Sequence, residues 1–355
     1  MAQRTTPFPQ PDALIGHRSS PKLVIKAASS VSRSQVDIFQ RLADAHAVQM
    51  QRPGPPAVVR EFRDVYANQA GQVWSTDGRL LVARGRPLPQ ASRDATETAC
   101  RFASGFLLTD VSKGFYHWFA ERFAALAGWP GLRSESMPLV FGLHAAAFQQ
   151  ETVKLLTGQA PQIITVQDAT FFEQLHVPEW GTPFLKRWDI YHPLYDRITT
   201  NALREGAAED DETDGVRLYL SRRDAPSRSI QNEADLEIRM EARGFRCIRF
   251  TGLSVAQQIR IMHRASVIVA PHGAGLAHLL VARSGIKVFE FMPSQAGTES
   301  LRFNFARLSQ ILGHNHRLWL ERVNPANDTW NITLPEMLAD LDDFLLNAQE
   351  GNSGS

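Results

Sequence analysis

The residues with the clearest chemical meaning lie in Val267-Ile268-Val269-Ala270-Pro271-His272-Gly273-Ala274-Gly275-Leu276. The β-branched run reads as a buried strand. Pro271 ends it, and a Gly-x-Gly turn leads into Leu276-Ala277-His278-Leu279-Leu280, which reads as a helix start. The first N–H groups of a helix lack an intrahelical partner, and the helix dipole adds partial positive charge there. A strand, a glycine turn and a helix start in that order therefore predict a phosphate or diphosphate site, with His272 beside it. Gly273 and Gly275 are equally compatible with a plain tight turn, because glycine reaches backbone angles that other residues avoid.

Two further groups fall at strand ends in the same half of the chain. Ser221-Arg222-Arg223, with Arg228, follows the strand-like Val216–Leu220. Guanidinium forks suit phosphate oxygens, and clustered cations repel one another unless an anion is present. Glu290 closes the strand-like Lys287–Phe291, where a carboxylate can take the two hydroxyls of a ribose. Ser221, Arg222, Arg223, Arg228, His272, Gly273, Ala274, Gly275 and Glu290 together predict a nucleoside-diphosphate site.

The elements that must position these residues follow an alternating pattern. Short strands are expected at Ala57–Val59 and Gln72–Ser75, with a hairpin at Asp77-Gly78. From Gly105 onward, strands at Phe106–Leu108, Pro138–Phe141 and Gln162–Val166 alternate with helices at Tyr116–Ala127 and Ala145–Leu156. Gly128 is the expected C-cap of the first helix. Such alternation implies a parallel sheet covered on both faces. The acidic stretch Glu209-Asp210-Asp211-Glu212 with Asp214 reads as a solvated loop near a domain boundary. A second unit then runs through strand Val216–Leu220, helix Glu233–Arg243, strand Phe245–Phe250, a helix opened by the capping box Ser254-Val255-Ala256-Gln257, and strand Ser266–Ala270. A last helix, Thr333–Ala348, has Pro335 in its first turn and Glu336 at a capping-box position, with Met337, Leu338, Leu341, Phe344 and Leu345 on one face.

The expected organisation is a poorly patterned segment 1–56, an α/β domain 57–205, a nucleotide-binding α/β domain 206–330, a helix 331–350 and a disordered tail 351–355. The 355 residues suffice for two domains, and 43% hydrophobic residues suffice for a large core. Lys+Arg at 38 against Asp+Glu at 37 give no net field for nucleic acid or an anionic membrane. Cys100 and Cys247 are too few for a disulfide framework or a zinc site. No apolar run reaches the roughly 20 residues of a membrane span, and no signal peptide is evident, so a cytoplasmic location is expected. The sequons at Asn327 and Asn331 are read as chance matches.

Taken together, Leu220-Ser221-Arg222-Arg223, Arg228, Asn232-Glu233, Gly244-Phe245, Gln257-Gln258-Ile259, Ala265, Pro271-His272-Gly273-Ala274-Gly275-Leu276 and Glu290-Phe291-Met292-Pro293 resemble the C-terminal signature of glycosyltransferase family 61. Upstream, Tyr116-His117-Trp118-Phe119 with Glu121, Phe148-Gln149 and Leu175-His176-Val177-Pro178 resemble the same family. The resemblance covers roughly residues 57 to 320 and is densest in the second half. It implies a GT-B-like fold of two facing Rossmann-like domains. It also implies an inverting, metal-independent transferase that uses a sugar nucleotide, commonly a UDP-sugar, and needs no cofactor. A bacterial-type enzyme acting on a glycan or lipid-linked acceptor fits the missing signal anchor, with peripheral membrane association through that acceptor.

An inverting transfer needs a base for the acceptor hydroxyl. His117 is the first candidate and Glu121 the second, since residues four apart on a helix share a face. A core position for His117 beside Trp118 is the competing structural reading. His176 is a weaker candidate; His263 and His278 are expected on helix surfaces, and His314 and His316 in a loop. Two rivals are a non-catalytic sugar-nucleotide-binding scaffold and a nucleotide-sugar epimerase or dehydrogenase. The latter needs a three-glycine dinucleotide fingerprint, which the chain lacks.

Overall fold

A computed structural model describes residues 4–8, 23–84, 99–109, 114–133, 136–142, 145–166, 169–206, 214–224, 230–294, 303–324 and 329–346. The chain opens with strands β1 (Arg4–Pro7) and β2 (Val24–Ala27) and helix α1 (Arg33–Gln51). Then come β3 (Val58–Ala67), β4 (Val73–Ser75), β5 (Leu80–Val82), β6 (Cys100–Leu107) and β7 (Leu139–Gly142). Helix α2 (Ala147–Thr157), β8 (Ile163–Val166), β9 (Thr170–Pro178) and α3 (Trp188–Glu205) follow. The remainder is β10 (Val216–Leu220), α4 (Glu233–Glu241), β11 (Phe245–Ile248), α5 (Val255–Arg264), β12 (Ala265–Pro271) and β13 (Lys287–Ser294), then α6 (Asn304–Leu312), β14 (Asn315–Asn324), β15 (Thr329–Trp330) and α7 (Leu334–Leu346).

The chain forms two compact units: residues 1–15 with 54–204, and residues 16–53 with 205–355. It is a mixed α/β protein with one sheet in each unit. Segment 1–56, for which the sequence reading offers no elements, supplies β1 to the first sheet and β2 with α1 to the second.

The first sheet runs β5-β4-β3-β9-β6-β7-β8, with β1 on β3. The expected parallel pairing holds for β6-β7-β8, and β9, a strand outside the sequence expectation, joins β6 in parallel. The pairs among β3, β4, β5 and β9 are antiparallel, and the β4–β5 pair is the hairpin expected at Asp77-Gly78. The Asp77-Gly78 turn joins β4 to β5 directly, and a tight turn can only join antiparallel strands.

The second sheet runs β11-β10-β12-β13-β14, and all of these pairs are parallel. β2 adds to β14 in parallel, and β15 pairs with β14 antiparallel. Numbered from β10, the order is 2-1-3-4-5, so the chain winds one way from β10 to β11 and the other way from β12 onward. Doubly wound sheets bind ligands outside the carboxyl ends of their strands at this reversal, here between β10 and β12.

The core of this unit gathers Phe289, Phe291, Leu318 and Leu320 from the sheet, Phe39 and Ala43 from α1, and Met337, Leu341 and Phe344 from α7. Lys287 Nζ donates to the Phe344 and Leu345 carbonyls at 2.9 and 2.8 Å and so caps the end of α7. Glu336 does not complete a capping box. Its carboxylate accepts from Ser29 N–H and Oγ–H, and Glu321 instead accepts from Thr333 N–H at 2.7 Å and Oγ–H at 3.0 Å. Among the described residues, no helix is long and apolar enough to cross a membrane.

Candidate functional site

The site at the reversal is built from β10 and β12. Beyond Leu220, the Arg222 N–H donates to Glu233 Oε1 at 2.6 Å, and the Tyr219 hydroxyl donates to the same oxygen at 2.8 Å. Glu233 is the first residue of α4 and is buried, and that burial raises its carboxyl pKa. It therefore ties the end of β10 to the start of α4 and fixes the backbone from which the Arg222 side chain departs.

On the other side, His272 N–H donates to Phe291 O at 2.8 Å, which extends the β12–β13 pairing by one residue. Gly273 has φ 179° and ψ 165°, and a tight 3₁₀ helix then runs Ala274–Val281. The turn does not need glycine for its backbone angles: φ is extended at Gly273, and Gly275 is not in the left-handed region either. The need at Gly273 is room, because a β-carbon there would overlap the Arg222 guanidinium. Glycine thus lets an arginine lie against the start of a helix, bringing a full charge next to the backbone N–H groups.

Ser221, Arg222, Gly273, Ala274 and Gly275 line one open depression of about 150 Å³. Ile248, Phe250 and Leu276 give it an apolar side. Pockets for whole drug-sized ligands run to roughly 300–1,000 Å³, so this one accommodates part of a larger molecule. Gly273→Ala is expected to push the Arg222 guanidinium aside and weaken binding of a diphosphate by about tenfold. Calorimetry checks this, and undiminished affinity would separate the glycine from the arginine's role.

His272 and Glu290 are brought together. His272 Nδ1 lies 2.5 Å from Glu290 Oε1, and Glu290 Oε2 lies 3.0 Å from His316 Nε2. His316 Nδ1 is 2.7 Å from Ser309 Oγ. Glu290 is fully buried, so both its oxygens serve histidines where the sequence reading gave it ribose hydroxyls. A wholly enclosed carboxylate orients and charges its neighbour; it does not greet a ligand.

Arg223 pairs with Glu237 on α4 at 2.9 Å, a different partner from the expected phosphate. Arg228 lies outside the described residues, as do Glu209, Asp210, Asp211 and Glu212.

In the first unit, Tyr116–Ala127 is not one α-helix. Residues His117–Arg122 form a π-helix, and Phe123–Gly128 continue as a 3₁₀ helix. Gly128 is not a left-handed C-cap: a β-carbon there would sit 2.6 Å from the Phe8 and Val59 side chains, so it too serves close packing. Trp118, Phe119 and Phe123 are fully buried, with Phe123 against the Tyr195 ring at 5.3 Å. The Tyr195 hydroxyl donates to Phe119 O at 2.6 Å. The His117 side chain is 45% exposed and Glu121 19%, and His117 Nδ1 meets Glu121 Oε2 at 2.8 Å. Trp118 takes the core position and His117 does not. Single π turns inside helices recur at functional sites.

Other histidines depart from expectation. His278 is buried, with Nδ1 3.0 Å from Gly275 O and its ring against Phe250. His314 and His316 are buried at the start of β14. Burial pulls His278 and His314 down to about 4 and His316 to about 3. His263 is half-buried on α5 beside Val281 O at 2.9 Å, and His176 lies on β9. Phe171 and Phe172 are core residues.

The sequence reading missed the roles of Glu233, His316 and Ser309. Glu233 carried a signal, since it opens the helix that follows the arginine loop. For His316 the signal is register: Val288 pairs with His316 and Glu290 with Leu318, so Glu290 and His316 share a face two residues apart on neighbouring strands.

The family model described as Glycosyltransferase 61 matches residues 115–289, a span that includes His117, Glu121, Arg222 and the His272–Gly275 turn. No curated protein matches the chain.

Proposed function

We propose, from the match of the glycosyltransferase 61 family model to residues 115–289, that the chain transfers a sugar from a nucleotide-sugar, in this reading a UDP-sugar, to a hydroxyl of a glycan or lipid-linked glycan. The observation that carries the donor assignment is the Arg222 guanidinium lying against Gly273 where the strand order reverses between β10 and β12. Arg222 and the N–H groups at the start of the 3₁₀ helix stabilise the leaving diphosphate as charge builds on it. These groups take the place of a divalent cation, so a chelator is expected to leave transfer intact.

The chemistry is a single displacement with inversion. The bond from the sugar's anomeric carbon to the phosphate oxygen breaks, and a bond to the acceptor oxygen forms. His117 takes the acceptor's proton, and Glu121 orients the ring. A GT-B type of architecture, a cytoplasmic location and membrane association through a lipid-linked acceptor belong to the same reading.

A thermal-shift panel of nucleotides and sugar nucleotides tests it, because a ligand of the native state raises the melting temperature. UDP and one UDP-sugar are expected to stabilise the chain. Arg222→Ala is expected to weaken UDP binding by about 10–100-fold, the worth of charge-assisted hydrogen bonds. Unchanged affinity by calorimetry contradicts the diphosphate assignment. Donor binding with neither transfer nor slow hydrolysis points to a sugar-nucleotide-binding scaffold.

A further inference from the structure

His272 sits in the chain between Pro271 and Gly273 of the depression, and the hydrogen bonds of Glu290 tie it to His316 and Ser309 in the core. A neutral imidazole has one N–H and one lone-pair nitrogen. His316 is enclosed, and its burial keeps the ring neutral at pH 7. Ser309 Oγ lies 2.7 Å from His316 Nδ1, and Ser309 is itself fully buried on α6. If Ser309 donates to Nδ1, the His316 proton sits on Nε2 and is donated to Glu290 Oε2 at 3.0 Å. Glu290 then stays ionised and accepts a second N–H from His272 Nδ1 at 2.5 Å. In the opposite arrangement, Ser309 accepts, and the Nε2 lone pair faces Glu290 and forces a proton onto that carboxyl, which then meets His272 only as a neutral and weaker acceptor. The first arrangement gives each oxygen of the enclosed carboxylate an N–H donor, and donors to both oxygens favour the ionised form.

We propose that Ser309 and His316 are positioning residues which, acting through Glu290, hold His272 in the Nδ1–H tautomer and so make Nε2 the ring atom offered to the ligand. Phe305 fixes the plane of the ring from one side, with centroids 5.0 Å apart. Any gain or loss of a proton by His272 next to the glycine turn then occurs at a single defined atom. This inference rests on His272 belonging to the donor site.

The test is a long-range proton–nitrogen NMR spectrum of the full chain carrying nitrogen-15 histidine, recorded at pH 8 without nucleotide. His272→Asn identifies the His272 signals. In the wild type, a pyrrole-type Nδ1 and a pyridine-type Nε2 are expected for His272. In Ser309→Ala, which removes a single hydroxyl, and in His316→Gln, that pattern is expected to collapse to a mixture of both tautomers. An Nε2–H tautomer in the wild type, or a wild-type pattern retained in either variant, overturns the proposal. UDP calorimetry on the same wild-type sample keeps the two readings apart. The expected tautomer without UDP binding removes the donor-site assignment and leaves the relay standing.

Discussion

His117→Ala is expected to lower the rate of sugar transfer by about 10²–10⁴-fold, the usual contribution of a positioned general base, while UDP affinity stays at the wild-type level. The expectation follows from the way the turn divides its residues. Trp118, Phe119 and Phe123 fill the core, and His117 is left half-exposed with Nδ1 against Glu121 Oε2 at 2.8 Å. With its Nδ1–H donated to the carboxylate, the neutral ring carries its lone pair on Nε2, the nitrogen that would accept a hydroxyl proton. Removing the ring takes away a surface group, so the fold is expected to persist. Near-wild-type transfer by the variant would remove His117 from the mechanism.

Glu121→Gln separates the two roles. If Glu121 orients His117, the amide still accepts through its oxygen and the loss is smaller than that of His117→Ala. A loss as large as or larger than that of His117→Ala identifies Glu121 as the base. The His117–Glu121 pair is partly solvated and is worth little to stability, so kinetics are the informative measurement.

What could be read in the residues alone depended on how local the cause was. The strand-turn-helix around His272 is legible because a β-branched run and two glycines define it within ten positions. The capping box at Ser254 is equally local, and the structure forms both of its hydrogen bonds. Gly128 misled because its neighbours Phe8 and Val59 are distant in sequence, and a helix-ending glycine looks the same as one that makes room for a ring. The π-helix at His117 is invisible to apolar periodicity, since Trp118, Phe119 and Phe123 fit an ordinary helix nearly as well. The partnership of Glu290 with His316 requires knowing that β14 lies beside β13 and in which register. β2, a four-residue strand, completes a sheet whose other strands begin almost two hundred residues later. Apart from the π-helix, these failures lie at contacts between segments far apart in the chain, where periodicity and turn chemistry carry no information.

Those same non-local contacts bury histidines, and that makes the second unit sensitive to acid. His278 and His314 have folded-state pKa values pulled down to about 4 because burial penalises their charged form. Unfolded histidine titrates near 6.5. Between these values the unfolded chain binds more protons than the fold, so stability falls as pH falls through that window. At pH 5 each residue costs about 2 kcal/mol relative to neutral pH, or about 4 kcal/mol for the pair against a typical total of roughly 5–15 kcal/mol. His316 shifts in the same direction and adds to the loss. Glu233, Glu321 and Asp340 act oppositely: burial raises their pKa, so the fold holds their protons more tightly than the unfolded chain does. Unperturbed carboxylates titrate near 4, so the offset is concentrated at the acid end of the window. Urea unfolding at pH 7 and pH 5 should show a lower midpoint at pH 5 with the same slope. His278→Asn removes one titrating ring and should flatten the pH dependence even where it costs stability at pH 7. A midpoint that does not move between the two pH values would mean that these rings bind protons as easily inside the fold as outside it.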